Sequence, residues 1–251
     1  MPSDSSLCAF DRKQLTIDVS QETAEHKLRV ESPEDRVLAT VFNFKDFMIR
    51  KFIFRDITIL EVSGHGVDSA IIMGMAKKVI RLRAKADPHG STAELLSQVN
   101  DDLFEDLGRN TFITALYASI RLKEGEVRFS RAGHEPPFRF KIDEVEPVSY
   151  EQSKGIALGM DPGPVFNKII EEKSIQLSPG EGLLFYTDGI VESINARRDL
   201  FTRERLGYVL EKLDGVESAE SLIVNLQGVI NHFCEGGPPE DDMTAIEVLR
   251  R

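Results

Sequence analysis

At 251 residues, with 41% hydrophobic and 29% charged side chains, the chain has an ordinary globular composition and enough length to bury a substantial core, so one domain is the simplest reading. The formal net charge of -11 argues against nucleic acid or an anionic membrane as the main partner and suits an acidic protein that holds cations locally. Two cysteines, Cys8 and Cys234, without CxxC or Cys/His ligand spacing, give no support to a zinc site; the longest apolar stretch, Ala70 to Ala76, is far too short to span a bilayer; and the N-terminus lacks a secretion-signal pattern, so a cytoplasmic protein is expected.

Residues 1–30 are polar, with one strand-like piece from Leu15 to Val19, and are expected to lead into a domain spanning 31–251. Residues 37–62, rich in Val, Phe and Ile, predict two strands with a break near Ile49-Arg50-Lys51. Residues 67–86 predict a helix with Ile71, Met75, Val79 and Leu82 on its apolar face. Lys77, Lys78, Arg81 and Lys85 avoid that face and read as a solvated surface. Asp87-Pro88-His89-Gly90 ends the helix, and a capping box, Ser91-Thr92-Ala93-Glu94, opens a second with Leu95, Val99, Leu103 and Leu107 on one stripe.

A hairpin follows, from Phe112 to Leu122 and from Glu126 to Arg131 around a Lys-Glu-Gly turn at 123–125. Phe138-Arg139-Phe140 is a further strand, 142–155 a polar loop, and Leu183-Leu184-Phe185-Tyr186 an apolar strand. Helices over about 202–213 (Leu206, Leu210, Leu213) and 218–234 (Leu222, Leu226, Val229, Phe233) precede a final strand from Thr244 to Leu249. This order is not the β–α alternation of a parallel doubly wound sheet. It predicts an α+β fold of antiparallel sheets layered with helices on their faces.

Three carboxylates sit at strand ends: Glu61, Asp188, and Asp241 with Asp242 beside it. Strand ends at one edge of a sandwich can converge from far apart in sequence. Oxygen-only ligands suit hard cations such as Mg²⁺ or Mn²⁺. Such a cation lowers the pKa of a bound water from about 15.7 towards about 7 and offsets charge growing on phosphoryl oxygens; a pair roughly 3.5–4 Å apart does this best.

Six motifs then fall in one order: Glu61-Val62-Ser63-Gly64-His65-Gly66, Arg131-Ala132-Gly133-His134-Glu135-Pro136-Pro137, Gly155-Ile156-Ala157-Leu158-Gly159, Ser178-Pro179-Gly180-Glu181, Thr187-Asp188-Gly189-Ile190-Val191-Glu192 and Asp241-Asp242-Met243-Thr244. With these the chain resembles the SpoIIE/RsbU-type branch of the metal-dependent PPM (class-2C-like) protein phosphatases over roughly residues 30–250. The resemblance implies an α-β-β-α sandwich of two antiparallel sheets flanked by helix pairs. It implies Mn²⁺- or Mg²⁺-dependent hydrolysis of phosphoserine or phosphothreonine on a bacterial signalling protein, typically a phosphorylated STAS-domain anti-sigma-factor antagonist, and leaves a homodimer open. It also assigns roles. Glu61 takes the place of an acid bridging two metals, with the Val62 carbonyl beside it. Asp188 and Asp241 hold the first metal, and Asp242 fills a neighbouring position. Glu61, Asp188 and Asp241 then act through a metal-bound water, and no Ser63 nucleophile is needed. His65 and His134 read as structural, hydrogen-bonding loop residues, because the branch does not use them as ligands.

Two departures from the family pattern bear on activity. Glu61 stands where the family has Asp, one methylene longer. The family's preceding Gly-Gly-Asp, whose Asp holds the second metal, is absent; Thr40 or Asn43 occupies its place in the two alignments that the flanking residues allow, with Asp46 nearby. One well-formed metal site and a weak second are therefore expected. The rival reading is a pseudophosphatase that binds a signalling partner without turnover.

Overall fold

A computed structural model describes residues 15–21, 37–43, 48–52, 54–64, 66–108, 110–121, 124–142, 148–212, 219–235, 237 and 241–250, with 15–21, 37–43, 48–52, 54–55 and 219–221 described by their backbone only. His65 and Asp46 lie outside this set.

The first sheet runs in the order β1 (Leu15–Gln21), β4 (Phe54–Val62), β5 (Ile113–Arg121), β6 (Glu126–Ala132) and β9 (Glu172–Gln176). The second runs β3 (Met48–Phe52), β2 (Val37–Asn43), β11 (Thr244–Arg250), β10 (Glu181–Tyr186), β7 (Phe138–Lys141) and β8 (Ser149–Tyr150). Every pairing is antiparallel. The fold is the expected α+β sandwich. β1, from within residues 1–30, pairs along β4, with Leu15 opposite Glu61.

Three apolar clusters correspond to the three interfaces between layers. Between the sheets lie Ile57, Ile59, Leu116, Phe129, Phe185 and Ile246, with Phe129 and Phe185 meeting edge to face at 6.3 Å. Outside the first sheet, Leu60, Val62, Ala115 and Tyr117 pack under α1 (Val67–Ala86) and α2 (Thr92–Leu103). Outside the second, Leu184, Tyr186, Ala245 and Leu249 pack under α5 (Arg203–Glu211) and α6 (Ala219–Phe233). Short helices α3 (Phe166–Ile169) and α4 (Asp188–Val191) fill the connections. Because side chains alternate along a strand, Ile57 and Ile59 put Glu61 on the inter-sheet face, and Leu116 and Ala118 put Thr114 there too. No helix among the described residues is long and apolar enough to cross a membrane.

Some local expectations are corrected. Residues 37–62 form three strands rather than two, and Ile49-Arg50-Lys51 lies inside β3, paired with Phe42, Val41 and Thr40. Asn43 pairs with Met48, and β2 and β3 belong to one sheet whereas β4 belongs to the other. β9, unexpected from the sequence, closes the edge of the first sheet beside β6.

Along α1 the buried residues are Ser69, Met73, Ala76 and Ile80, whereas Ile71 and Leu82 are 57% and 53% exposed. Met75 and Val79 of the expected stripe are partly buried against the same cluster, so the inward face is turned towards Met73, Ala76 and Ile80 rather than replaced. On α6, Val229 is likewise exposed while Ile223 and Ile230 are buried. The stripe of Leu95, Val99, Leu103 and Leu107 is buried as expected, and the Ser91 hydroxyl accepts from the Glu94 N–H at 3.5 Å, capping α2.

Candidate functional site

Glu61 is the penultimate residue of β4, only 7% exposed, with its carboxylate held from two directions. Thr114, opposite it on β5, donates its hydroxyl to Glu61 Oε2 at 2.7 Å. His134 Nδ1 lies 3.1 Å from the same oxygen, and His134 Nε2 lies 3.1 Å from the Tyr186 carbonyl oxygen, each within hydrogen-bond distance. A buried imidazole thus bridges the end of β4 in one sheet to the end of β10 in the other. Gly133 makes this approach possible: its φ of 72° turns the chain after β6, and its Cα faces Ala157 so closely that an added Cβ would lie 3.0 Å from the Ala157 nitrogen.

The Asp188 side chain lies close enough to the Glu61 carboxylate to help lower its pKa. Asp188 opens α4 directly after β10. Thr187 staples this point to β11: its N–H donates to the Thr244 carbonyl at 3.1 Å, and its hydroxyl accepts from the Thr244 N–H at 2.9 Å and donates to the Asp242 carbonyl at 3.2 Å. That brings Asp241 and Asp242 against Gly189, where an added Cβ would lie 2.6 Å from the Asp242 carbonyl oxygen. Asp241 Oδ1 accepts from the Asp242 N–H at 2.7 Å, so the acidic pair is ordered by its own backbone.

Burial alone pushes the Glu61 carboxyl up, but hydrogen bonds and charge from His134, with further contributions from Thr114 and Asp188, outweigh it and bring the pKa down from 4.5 to about 2. A folded-state pKa below the ordinary value means that ionised Glu61 contributes stability fully above pH 4.5 and loses it as the pH falls through about 2. Urea denaturation of metal-free protein should therefore show wild type losing stability over that window more steeply than Glu61→Gln. Equal slopes would mean that the pair does not form.

A second network anchors the His134 loop. Glu135 Oε2 accepts from Arg203 Nη2 at 2.7 Å, from Arg203 Nε at 3.1 Å and from the Tyr186 hydroxyl at 3.1 Å. Burial and the Glu135 charge push the Tyr186 phenol pKa up, keeping it a neutral donor. Arg131 donates to the carbonyls of His134 and Ser153.

The structure therefore brings Glu61 to Asp188 and sets Asp241 and Asp242 against Gly189. Val62, fully buried, continues β4 opposite Ile113. Ser63 is engaged structurally: its hydroxyl accepts from the Phe112 N–H at 2.9 Å. Asn43 pairs with Thr244 at the same end of the second sheet as Asp188, whereas Thr40 pairs with Glu247, three residues farther along. Sequence reasoning assigned His134 a structural hydrogen bond but not its partner, and it read Thr114 as core strand. Thr187 carried no local signal beyond its place in the Thr-Asp-Gly motif.

The donor chemistry fits a hard cation. Two carboxylates brought close together, Glu61 buried and Asp188 half-buried, are best accommodated with a shared proton or a cation between them. Among the described residues no group of three or more His, Cys, Asp or Glu side chains forms a ready cage. Mg²⁺ is commonly held by one or two carboxylates, with waters and substrate phosphate oxygens completing the shell, so a pair of acids satisfies its protein requirement.

A family model described as Stage II sporulation protein E (SpoIIE) matches residues 56–251. The chain is 28% identical over 222 residues to Protein IcfG of Synechocystis sp. (strain ATCC 27184 / PCC 6803 / Kazusa), covering 77% of this chain and 33% of that protein. It is 24% identical over 197 residues to Phosphoserine phosphatase RsbU of Bacillus subtilis (strain 168), covering 78% of this chain and 55% of that protein. It thus spans about a third and about half of these two relatives. In fold it is similar to the SiaA-PP2C domain of Pseudomonas aeruginosa, with a TM-score of 0.64 at 15% identity over 94% of this chain and 85% of that one.

Proposed function

Because the chain belongs to the SpoIIE family, as a SpoIIE/RsbU-type PPM domain, we propose that it is a metal-dependent protein phosphatase of bacterial signalling that hydrolyses phosphoserine or phosphothreonine. The observation that carries this reading is the approach of half-buried Asp188 to buried Glu61 at the sandwich edge where Asp241 and Asp242 abut Gly189. We further propose a phosphorylated STAS-type regulator as the substrate and the cytoplasm as the site of action.

Glu61, the Val62 carbonyl, Asp188, Asp241 and Asp242 would hold Mn²⁺ or Mg²⁺. Such an ion supplies Lewis-acid neutralisation of charge on phosphoryl oxygens. The chain's own residues supply orientation. Thr114 and His134 both meet Glu61 Oε2 and orient the carboxylate. Thr187 holds Asp188 in register with Asp241 and Asp242. The Glu135–Arg203–Tyr186 network keeps His134 in place. Rigid support of this kind matters because small misplacements at a reacting centre cost large factors in rate.

The test is phosphate release from a phosphoserine protein, with and without millimolar Mn²⁺, comparing wild type with Asp188→Asn. Manganese-dependent turnover lost in the variant is expected. Equal inertness of both proteins on several substrates would end the phosphatase reading. The pseudophosphatase reading draws support from the sequence, in which no Gly-Gly-Asp precedes Glu61. If it holds, Asn43→Asp, at the site's edge of the sheet, should create manganese-dependent activity that wild type lacks, and Thr40→Asp should not.

A further inference from the structure

The turn that carries Asp188 leads straight into a tight hairpin. The Glu192 N–H donates to the Asp188 carbonyl at 2.8 Å, the Ser193 hydroxyl donates to the Gly189 carbonyl at 2.7 Å, and the Thr202 N–H returns to the Val191 carbonyl at 2.8 Å. Between these anchors Ile194 and Leu200 pair antiparallel. Asn195 closes the tip. Its side-chain oxygen accepts from the N–H groups of Arg197 and Asp199, both at 2.9 Å, and its carbonyl accepts from the Arg198 N–H at 2.9 Å. The hairpin is thus fixed to the element that positions Asp188, and these bonds hold its tip in one shape.

Arg197 and Arg198 stand at that tip, both exposed, with Leu200 49% exposed beside them. Neither arginine has an ion-pair partner among the described residues, and the neighbouring Asp199 carboxylate accepts instead from the Asn195 amide at 3.1 Å. Arg198 also has a φ of 66°, a conformation that suits glycine or asparagine and strains a long side chain. The bonds of the hairpin are made by Asn195 and by main-chain groups, so they do not call for arginine at either position. Strained backbone that carries unpaired charge marks a surface made to meet something else.

Charge and reach identify the partner. The chain carries a net charge of -11, and Glu61, Asp188, Asp241 and Asp242 gather acid at this edge, so an anionic protein is repelled except where cations receive it. Only α4 and residues 192–197 separate Asp188 from the tip, which puts Arg197 no more than about 25 Å from the site. A standard protein interface covers about 800 Å² on each partner, a patch roughly 30 Å across. The tip therefore falls inside the footprint of a phosphoprotein whose phosphate lies at Glu61 and Asp188. A small phosphate ester, bound at the acids alone, does not need it. Resting on the phosphatase reading above, we propose that Arg197 and Arg198 form a docking element for the phosphoprotein substrate and receive an acidic patch that flanks its phosphorylated residue.

The experiment uses three probes with millimolar Mn²⁺. They are a phosphoserine peptide with glutamate-rich flanks of about eight residues, long enough to reach the tip, the same peptide with glutamine in place of glutamate, and p-nitrophenyl phosphate. Wild type is compared with Arg197→Glu/Arg198→Glu and with Arg197→Gln/Arg198→Gly, in which glycine suits the left-handed backbone and guards against misfolding. Reversal should raise KM for the glutamate-flanked peptide by about tenfold or more and removal by about fivefold, at unchanged kcat, with the other two probes unaffected. In wild type, raising the salt from about 0.05 to about 0.5 M should erase the preference for glutamate flanks, since exposed charges are screened. Fluorescence anisotropy of the labelled peptides in EDTA, where turnover stops, reads the same docking without catalysis. Equal KM and equal anisotropy for wild type and both variants would overturn the proposal and leave the phosphatase reading intact. So would an equal loss on all three probes, which would make the hairpin a support of the site alone. If wild type is inert on every probe, the phosphatase reading fails and the anisotropy decides: weaker binding of the glutamate-flanked peptide in both variants upholds the docking element, and equal binding overturns it.

Discussion

Truncating His134 to alanine should abolish phosphate release and destabilise the fold by about 1–3 kcal/mol, the cost of leaving a buried acceptor without its hydrogen-bond partner. His134 is 2% exposed and Glu61 7%, so water cannot take over the missing donor without opening the site. The variant leaves Glu61 with the Thr114 hydroxyl and loses the link to the Tyr186 carbonyl that ties the two sheets at this edge. Urea denaturation reads the stability and phosphate release the activity. The conservative variant His134→Asn separates positioning from simple folding. Its amide can stand where Nδ1 does and donate to Glu61, but it does not reach Tyr186. Activity should therefore recover by a larger fraction than stability. An alanine variant that keeps its activity and loses less than about 1 kcal/mol would show that Glu61 does not depend on this imidazole.

Gly189→Ala should reduce phosphate release by at least about a hundredfold, the scale of a misplacement near 1 Å at a reacting centre. The added methyl would lie 2.6 Å from the Asp242 carbonyl oxygen and 3.4 Å from Asp241 Cβ. Neither neighbour is the end of a flexible side chain. Thr187 clamps the same segment through Thr244 and the Asp242 carbonyl, so relief requires α4 and the start of β11 to separate. That separation moves Asp188 away from Asp241 and Asp242, and its stability cost should be about 1–3 kcal/mol, the usual range for overpacking. Gly228→Ala on α6, where an added Cβ meets nothing within 4 Å, is the control and should be neutral or slightly stabilising. Normal activity in Gly189→Ala would mean that close contact between α4 and the acidic pair is not needed for catalysis.

The site was partly legible because some of its signals are local. Glu61 stands between an apolar strand and a Gly-x-Gly turn, and Asp188 follows a run of apolar strand residues. Period-two alternation from Ile57 and Ile59 even gives the face on which Glu61 lies. What holds its carboxylate was not legible. Thr114 and His134 arrive from 53 and 73 residues away, through a hairpin and a turn at Gly133, and no spacing rule reports a contact of that range. The stapling of Asp188 to Asp242 by Thr187 spans 55 residues and is equally invisible.

By itself the sequence determined the α+β class, the extent of α1 from Val67 to Ala86 and the capped start of α2, because caps, turn residues and hydrophobic period act over a few residues. Tertiary structure alone decided how far the inward face of α1 is turned, leaving Ile71 and Leu82 outside, that residues 37–62 make three strands divided between two sheets, and that β9 closes an edge. The physical reason is common to all three. A periodic apolar pattern states that a face can be buried, but the surface it buries against is assembled from segments far along the chain. Only the assembled layers select among faces that are locally equivalent.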